Sequence, residues 1–310
     1  MRKALIIGIN DYSNNPLKYC ISDAQRIANI LSKNDDLSPN FDCKVITSDE
    51  INITERVLKT EIKELFKSES EVALFYFAGH GSQNDIGGSL VTQDSTVGDE
   101  GVNLSEILKY ANQSPVKEIV IILDCCYSGQ IGDNLNNLRK GVSILASSSH
   151  NESSEAKYSG GVFTSIICEG LNGLAADILG NVTVSEIYNY ADKLLGPWEQ
   201  RPIFKAYLSK MISLRLCKPK IELATIRRLI DFFDESSEQL FQLSPDYEPT
   251  ATPRNKVKEE TFSILQKLTA LNLVEPIGAD HMYFAAINSK SCQLTALGKY
   301  YWKLVLNNRI

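Results

Sequence analysis

FYFAGHG at residues 75–81 and IILDCCYSG at residues 121–129 are the two stretches that decide the fold. Each is an apolar run typical of a buried strand, and each ends at a reactive side chain with glycine nearby, His80 in the first and Cys126 in the second. Because parallel strands end at the same edge of a sheet, the two side chains are predicted to meet there. A thiol needs a base or an imidazolium partner to attack a carbonyl near neutral pH, so the pair is a candidate nucleophile and its histidine.

The composition is that of an ordinary folded protein. The chain has 310 residues, of which 43% are hydrophobic and 23% charged, and it is long enough for two domains. A net charge of −6 disfavours binding to nucleic acid or to a membrane surface. Seven cysteines without a paired spacing predict a reducing cytoplasm and no disulfide framework. The three histidines, His80, His150 and His281, leave few choices for a catalytic base.

Strand-like and helix-like segments alternate over the first 215 residues or so. This alternation predicts an α/β fold, with a mostly parallel six-stranded sheet covered by helices on both faces. Binding and catalytic sites of such sheets form at the carboxyl ends of the strands, which is where His80 and Cys126 fall. The predicted strands are 3–9, 41–47, 72–78, 118–123, 142–147 and 203–208, and the predicted helices are 22–32, 54–67, 103–111, 163–171 and 184–195.

A second domain is predicted after a change in composition near residues 218–220, which gives domains at 1–215 and 216–310. Its pattern is α+β and winged-helix-like, although ten basic and eleven acidic residues from Ile221 onward make a weak surface for phosphate contacts. The pattern therefore favours a regulatory protein partner, with DNA binding as the alternative. The predicted elements are helices at 221–233, 256–271 and 294–306, with a hairpin made of 273–276 and 281–287 around a turn at 278–280.

Five short motifs, in order along the chain, resemble those of the caspase-like cysteine peptidases, most closely the metacaspase and bacterial orthocaspase branch. The resemblance covers about residues 1–210. It implies that Cys126 is the nucleophile, that His80 is its acid–base partner, and that the backbone amides of Gly81 and Cys126 stabilise the oxyanion. The motifs are LIIGINDY at 5–12, LKYCISDA at 17–24, FAGHG at 77–81, DCCYSG at 124–129 and GGVFT at 160–164.

The same resemblance assigns two acidic residues to the pocket for the substrate side chain before the scissile bond, the S1 pocket. These are Asp124, two residues before the nucleophile, and Asp23. Two carboxylates that converge on one pocket favour a Lys or Arg side chain, which predicts cleavage of protein substrates after basic residues. The alternative for Asp23 is a structural role at the start of the helix 22–32. Ala78 stands where the family often has a serine that contributes to this pocket.

Calcium dependence and self-cleavage are two further traits of this resemblance. LVTQD at 90–94 resembles the segment with the first calcium aspartate, but NLSE at 103–106 stands where an Asp-Asp pair is expected. Because calcium needs several oxygen ligands, we predict calcium-independent activity and no metal or organic cofactor. Arg139 and Lys140 follow the nucleophile where caspase-like chains are often cut, so they are candidates for self-cleavage, with a solvated dibasic pair as the alternative.

Other classes of protein fit the sequence less well. The first strand lacks the glycine-rich dinucleotide fingerprint, the adjacent Cys125 and Cys126 are not a Cys-x-x-Cys redox motif, and no zinc-type cluster of His and Cys is present in the sequence. The main rival is a catalytically inactive caspase-like scaffold that binds partners. The favoured interpretation is a cytoplasmic cysteine endopeptidase, and the resemblance suggests a role in a bacterial stress or defence pathway.

Overall fold

The computed structural model describes residues 1–67, 69–84, 87–125, 138–147, 161–195, 201–208, 210–234 and 239–310. These residues form two compact units, Met1–Lys218 and Pro219–Ile310. Among the described residues, no helix has the length and apolar character needed to cross a membrane.

A six-stranded sheet is the centre of the first unit, as the sequence predicts. Its strands lie in the order β10-β8-β7-β3-β1-β2, and all neighbours are parallel except β10, which runs antiparallel to β8. The strands of this unit are β1 (Arg2–Gly8), β2 (Asp42–Thr47), β3 (Val72–Ala78), β4 (Gly81–Asn84), β5 (Gly87–Thr96), β6 (Asp99–Asn103), β7 (Glu118–Asp124), β8 (Val142–Ala146), β9 (Asn181–Val182), β10 (Ile203–Tyr207) and β11 (Arg215–Leu216).

The two central strands β3 and β7 end level with each other. Every residue of β3 is buried, and β7 is buried up to its last residue, which explains why both sequences are continuously apolar rather than alternating. The register pairs Ala78, the last residue of β3, with Asp124, the last residue of β7. The residues that follow these two strands therefore begin at the same edge of the sheet.

Helices cover both faces of the sheet, and each face has its own hydrophobic core. On one face, here called the α1–α4 face, the core includes Ala24, Ile27 and Phe163. On the other, the α2–α3 face, it includes Ile62 and Ile107. The helices of this unit are α1 (Cys20–Leu31), α2 (Glu55–Lys67), α3 (Leu104–Gln113), α4 (Val162–Glu169) and α5 (Val184–Leu194), with a single π-helical turn at Gly170–Leu174 after α4.

A three-stranded antiparallel sheet that the sequence analysis missed follows β3 directly. It has the order β4-β5-β6, and a break in register between Val91 and Thr96 interrupts the pairing of β5 with β6. A second small sheet pairs β9 with β11. Both are made of short or irregular strands, whose apolar periodicity is too brief to distinguish them from loops.

The end of the first unit is fastened to its beginning by side-chain hydrogen bonds. Arg2 Nη2 and Asn40 Nδ2 both donate to the carbonyl of Leu214, at 3.3 and 2.8 Å. Arg215 Nε donates to the carbonyl of Lys33 at 2.9 Å, and the Lys218 N–H donates to Asp35 Oδ2 at 3.1 Å. The segment 213–218 is therefore an integral part of this unit.

The second unit is α+β, but the predicted hairpin is wrong in one strand. Residues 281–287 were expected to pair with 273–276, whereas Met282–Ile287 is a helix and the partner strand is Ser291–Leu294. Its three-stranded antiparallel sheet has the order β12-β14-β13. The elements are α6 (Leu223–Arg227), α7 (Leu229–Phe232), β12 (Phe241–Gln242), α8 (Lys256–Ala270), β13 (Val274–Ile277), α9 (Met282–Ile287), β14 (Ser291–Leu294) and α10 (Ala296–Leu306).

Candidate active site

His80 stands two residues beyond the end of β3, and Gly79 between them makes this position possible. The Gly79 N–H donates to the carbonyl of Asp124 at 3.3 Å, which links the ends of β3 and β7. A Cβ on Gly79 would lie 2.5 Å from the Tyr12 hydroxyl and 2.8 Å from the Phe77 ring. Only glycine fits this gap, so the residue before His80 must lack a side chain.

Neutral groups hold the His80 side chain. Its Nε2 lies 2.6 Å from the carbonyl oxygen of Asn15, and its ring contacts the Tyr12 ring at a centroid distance of 4.6 Å. Because a carbonyl can only accept, Nε2 carries a proton in this arrangement. The other nitrogen, Nδ1, is therefore the one available to exchange a proton with a reacting group.

Tyr12 also fixes the backbone at His80. The Tyr12 hydroxyl accepts from the His80 N–H at 3.0 Å and donates to the carbonyl of Val91 at 3.2 Å. No sequence pattern pointed to a role for Tyr12 or Asn15. Tyr12 lies within the first motif, which was a usable signal, but the contact of Asn15 uses its backbone carbonyl, which any residue type carries. Asn15 adopts a φ of 56°, a conformation that asparagine tolerates better than most residues.

The expected nucleophile, Cys126, lies outside the described residues, and so does the amide that it would contribute to the oxyanion site. Its neighbour Cys125 is buried, 5% exposed, in the core of the α2–α3 face. This confirms that Cys125 points into the protein, as expected for a residue that alternates with Asp124. Gly81, the other expected oxyanion donor, begins β4 and pairs with Leu90.

Asp23 and Asp124 are brought together from distant parts of the sequence, and we call them the acid pair. Asp23 lies in α1 and Asp124 ends β7. The Gly161 N–H donates to Asp23 Oδ2 at 2.8 Å, and a Cβ on Gly161 would lie 3.0 Å from both Asp23 Oδ2 and Asp124 Oδ2. The two carboxylates thus converge on the same glycine, on the α1–α4 face.

Burial dominates the electrostatics of the acid pair. Removal from water raises the pKa of Asp23 to about 6, and the nearby negative charge of Asp124 adds to this, whereas the Gly161 N–H and the Arg26 guanidinium oppose it. Arg26 Nη1 lies 3.3 Å from Asp23 Oδ1. Burial likewise raises the pKa of Asp124, against the hydrogen bonds from Thr164. The pair therefore concentrates negative charge where little water screens it.

Hydrogen bonds fix Asp124 through a chain of hydroxyls. Thr164 Oγ1 donates to Asp124 Oδ2 at 2.6 Å, and the Tyr76 hydroxyl lies 2.5 Å from the same Thr164 oxygen. Ala78, where the resemblance led us to expect a serine, is 1% exposed and belongs to the core on this face. Thr164 and Tyr76 thus hold the Asp124 carboxylate in place, whereas Ala78 has no hydroxyl to contribute.

A family model of the caspase domain matches residues 1–212. The chain belongs to the caspase-domain family. Members of this family are in general cysteine peptidases, which are hydrolases. Among solved structures, the crystal structure of a protein from Geobacter sulfurreducens is similar, with a TM-score of 0.52 and 15% sequence identity, over 70% of this chain and 100% of that chain. At this identity the likeness concerns the fold alone. No curated protein matches the chain.

Within the caspase domain, Arg139 is not a free surface side chain. Its Nε donates to the carbonyl of Ala111 at 2.9 Å, its Nη2 donates to the carbonyl of Val116, and its backbone N–H donates to Asn112 Oδ1 at 3.0 Å. Lys140, by contrast, is exposed. The two basic residues therefore differ, because backbone carbonyls hold the Arg139 side chain whereas Lys140 is exposed.

In the caspase domain, the two segments that were compared with a calcium site each bind the backbone at the start of a helix. Asp94 Oδ1 accepts from the N–H of Glu55, at the start of α2, at 3.0 Å. Asn103 Oδ1 accepts from the N–H of Ser105, at the start of α3, at 2.8 Å. Among the residues that the structure describes, no group of three or more His, Cys, Asp and Glu side chains is placed to hold a metal ion.

Proposed function

We propose that this chain is a cysteine endopeptidase that cleaves proteins after Arg or Lys and needs no calcium. The observation that carries the proposal is the acid pair, since the buried Asp23 and the half-buried Asp124 converge on Gly161. A site with two carboxylates in low dielectric attracts a substrate cation strongly. Asp124 ends β7 at the same edge of the sheet at which β3 ends, two residues before His80.

The proposed reaction uses Cys126 and His80 in two steps. The thiol of Cys126 gives its proton to His80 Nδ1, and the sulfur attacks the carbonyl carbon of the substrate. The C–N bond then breaks, the leaving amine takes the proton from His80, and a thioester remains on the enzyme. Water attacks this thioester with its proton passing to His80, and the departing thiolate recovers the proton. The hydrogen bond from Nε2 to Asn15 keeps Nδ1 free for these transfers.

The acid pair accounts for the choice of substrate. Burial raises the pKa of both carboxylates, and the negative charge of Asp124 raises that of Asp23 further, so a guanidinium or ammonium group beside them would stabilise their charged forms. An aspartate side chain on the substrate would add a third negative charge at this point. The proposal therefore separates this chain from peptidases that cleave after acidic residues.

Peptides that differ only before the scissile bond test this proposal, with Arg, Lys, Gln or Asp at that position. We expect cleavage of the Arg and Lys peptides by the wild type, and a loss of at least about 100-fold in Cys126→Ala and in His80→Ala, since general acid–base catalysis alone contributes about 10²–10⁴-fold. Ser32→Ala, an exposed hydroxyl at the end of α1, is the matched control. Preferential cleavage of the Asp peptide, or equal activity in Cys126→Ala, would refute the proposal.

Self-cleavage is proposed to occur after Lys140 rather than Arg139, because the Arg139 side chain already binds the carbonyls of Ala111 and Val116. Intact-mass measurement of the wild type beside Cys126→Ala and Lys140→Ala would detect it. A cleaved form that persists in Cys126→Ala would point to another protease.

The second unit is proposed to bind a regulatory protein partner. Its described residues expose two adjacent aromatic side chains on α9, Tyr283 and Phe284, at 47% and 46%. Aromatic residues of this kind are enriched in protein–protein contacts. A cytoplasmic location and a part in a stress or defence pathway remain proposals from the sequence. Pull-down with the full chain, in the wild type and in Tyr283→Ala, tests the partner: equal capture of the same protein by both would argue against this surface.

A further inference from the structure

A polar cavity lies beside His80 on the side away from the acid pair. It has a volume of about 290 Å³. Tyr12, His80 and Gly81 line one part of it, so the cavity adjoins the candidate active site. The acid pair belongs to the α1–α4 face through α1 and α4, whereas Tyr12 and Val91 in the cavity wall pack on the core of the α2–α3 face. The acid pair and the cavity are therefore associated with opposite faces of the sheet, and His80 lines the cavity.

We infer that this cavity is the subsite for the part of the substrate that leaves, and that it binds an uncharged polar side chain. The inference rests on the proposed function. A substrate whose basic side chain reaches the acid pair, and whose leaving nitrogen receives a proton from His80, must continue past His80. The next residues, at about 3.3–3.6 Å each, then enter the cavity.

The chemistry of the wall selects the class of side chain. The wall carries amide and hydroxyl side chains from Ser13, Asn14, Gln93 and Ser95. No Asp, Glu, Lys or Arg lines the cavity among the residues that the structure describes. The neighbouring carboxylates are bound elsewhere, since Asp11 Oδ2 accepts from Ser48 Oγ at 2.7 Å and Asp94 Oδ1 accepts from the N–H of Glu55.

Part of this wall is rigid, and part is available to a ligand. Gln93 Oε1 accepts from the N–H of Ile53 at 2.7 Å, and its Nε2 donates to the carbonyl of Asp11 at 2.8 Å, so its amide is fixed. Asn14 is exposed and Ser95 half-buried, and their side chains form no hydrogen bond to the part of the chain that the structure describes. These two side chains, together with the exposed Ser13, are therefore donors and acceptors that a substrate amide or hydroxyl would meet.

Matched peptides test the inference on the wild type first. The peptides share an Arg before the scissile bond and carry Asn, Leu or Asp, which have similar shapes, at the first or second position after it. We expect the Asn peptide to have a kcat/KM about fivefold above that of the Leu peptide at one of these positions, the effect of about one neutral hydrogen bond. The Asp peptide should not exceed the Leu peptide.

Variants and a truncated substrate then locate the effect. The quantity to compare is the ratio of kcat/KM for the Asn peptide to kcat/KM for the Leu peptide. Asn14→Ala and Ser95→Ala should each lower this ratio to about half of its wild-type value or less. Ser32→Ala is the matched control outside the cavity. An acyl-arginine aminocoumarin has no residue after the scissile bond, so all variants should hydrolyse it. The order of the variants by kcat/KM should be the same for this substrate as for the Leu peptide.

The outcomes separate this inference from the proposed function. If the wild type cleaves the truncated Arg substrate in a Cys126-dependent way but shows no preference for Asn, the leaving-side subsite is wrong and the proposed function stands. A preference for Asn that survives in both cavity variants also overturns the subsite. If neither the extended peptides nor the truncated substrate is cleaved, both proposals fall.

Discussion

The two sides of His80 differ in how the protein treats charge. On the α1–α4 face, Asp23 and Asp124 are held by hydrogen bonds in a buried place that raises the pKa of both. On the α2–α3 face, the imidazole is held by a carbonyl and a tyrosine, and the adjoining cavity is lined by amides and hydroxyls. One side is built to attract a cation, and the other is built to position a group without adding charge.

This difference assigns separate tasks to the two sides. Fixed negative charge selects a substrate but would also bind a protonated histidine and slow its proton transfer, because an opposite charge stabilises the charged form. A carbonyl orients the imidazole with a weaker pull on its proton. Substitutions on the acid side should therefore change which substrate is cleaved, and substitutions on the histidine side should change how fast any substrate is cleaved.

The largest effect is expected from Asp124→Asn, which keeps the shape and removes the charge. We expect kcat/KM for the Arg peptide to fall by on the order of 100-fold, as for loss of one partner of a buried charge pair, while hydrolysis of the Gln peptide changes little. Asp36→Asn, an exposed carboxylate bound to Ser38, is the matched control. Equal losses on both peptides would mean that Asp124 acts on the reaction rather than on selection.

The next effect is a pH dependence confined to basic substrates. Because the pKa of Asp23 is raised to about 6, kcat/KM for the Arg peptide should fall by up to about tenfold per unit as pH drops below that value. The Gln peptide carries no cation for the acid pair and serves as the reference. Asp23→Asn should give both peptides the same profile, and a persistent difference between them would assign the ionisation to another group.

Stability should show the opposite sign for the same carboxyl. A raised pKa in the folded protein means that Asp23 contributes stability below its unfolded pKa, near 4, and that this is lost as pH rises through about 6. Asp23→Asn should therefore gain roughly 1–3 kcal/mol relative to the wild type between pH 4 and pH 7. Urea unfolding at the two pH values measures this, and a constant difference would contradict it.

A smaller effect is expected on the histidine side from Tyr12→Phe. The ring that packs on His80 remains, but the His80 N–H loses its acceptor and the Val91 carbonyl loses its donor. We expect kcat to fall about three- to tenfold for Arg and Gln peptides alike, with KM nearly unchanged. Tyr190→Phe, which loses a hydrogen bond to Glu169, is the control. A loss restricted to the Arg peptide would contradict the proposal that the histidine side affects the rate for every substrate.

No effect is expected from calcium. Asp94 and Asn103 already bind the backbone at the starts of α2 and α3, so neither side of His80 depends on a metal for its charge. Peptidase assays with EDTA, and with calcium added back, measure this. Activity that disappears with EDTA and returns with calcium, but not with magnesium, would show that the prediction is wrong.

The sequence predicted the sheet because its strands are long and continuously apolar. The predicted strand 72–78 matches β3, and the predicted strand 118–123 stops one residue before the end of β7, so the level ends of these two strands followed from parallel pairing. Asp23 came from the motif resemblance, since no local pattern distinguishes it from an acidic residue in the first turn of a helix. The placement of Cys126 lies outside the described residues, so its role is still a prediction.

What the sequence could not predict depends on backbone atoms and on short elements. The carbonyl of Asn15 that binds His80 has no signature in the residue type, and the sheet β4-β5-β6 is too irregular for its period to be read. In the second unit, Met282–Ile287 carries a mixture of apolar and aromatic residues that suits a strand or a helix, and the helix formed instead. Tertiary packing, rather than local preference, decides such cases.

The hydrogen bonds at the end of the first unit have a practical consequence for anyone who wants to prepare it alone. The family match ends at residue 212, yet Leu214, Arg215 and Lys218 bind the beginning of the chain. A protein stopped at residue 212 would leave Arg2 and Asn40 without these acceptors and would lose β11. The last residue to keep for expression and crystallisation is therefore Lys218.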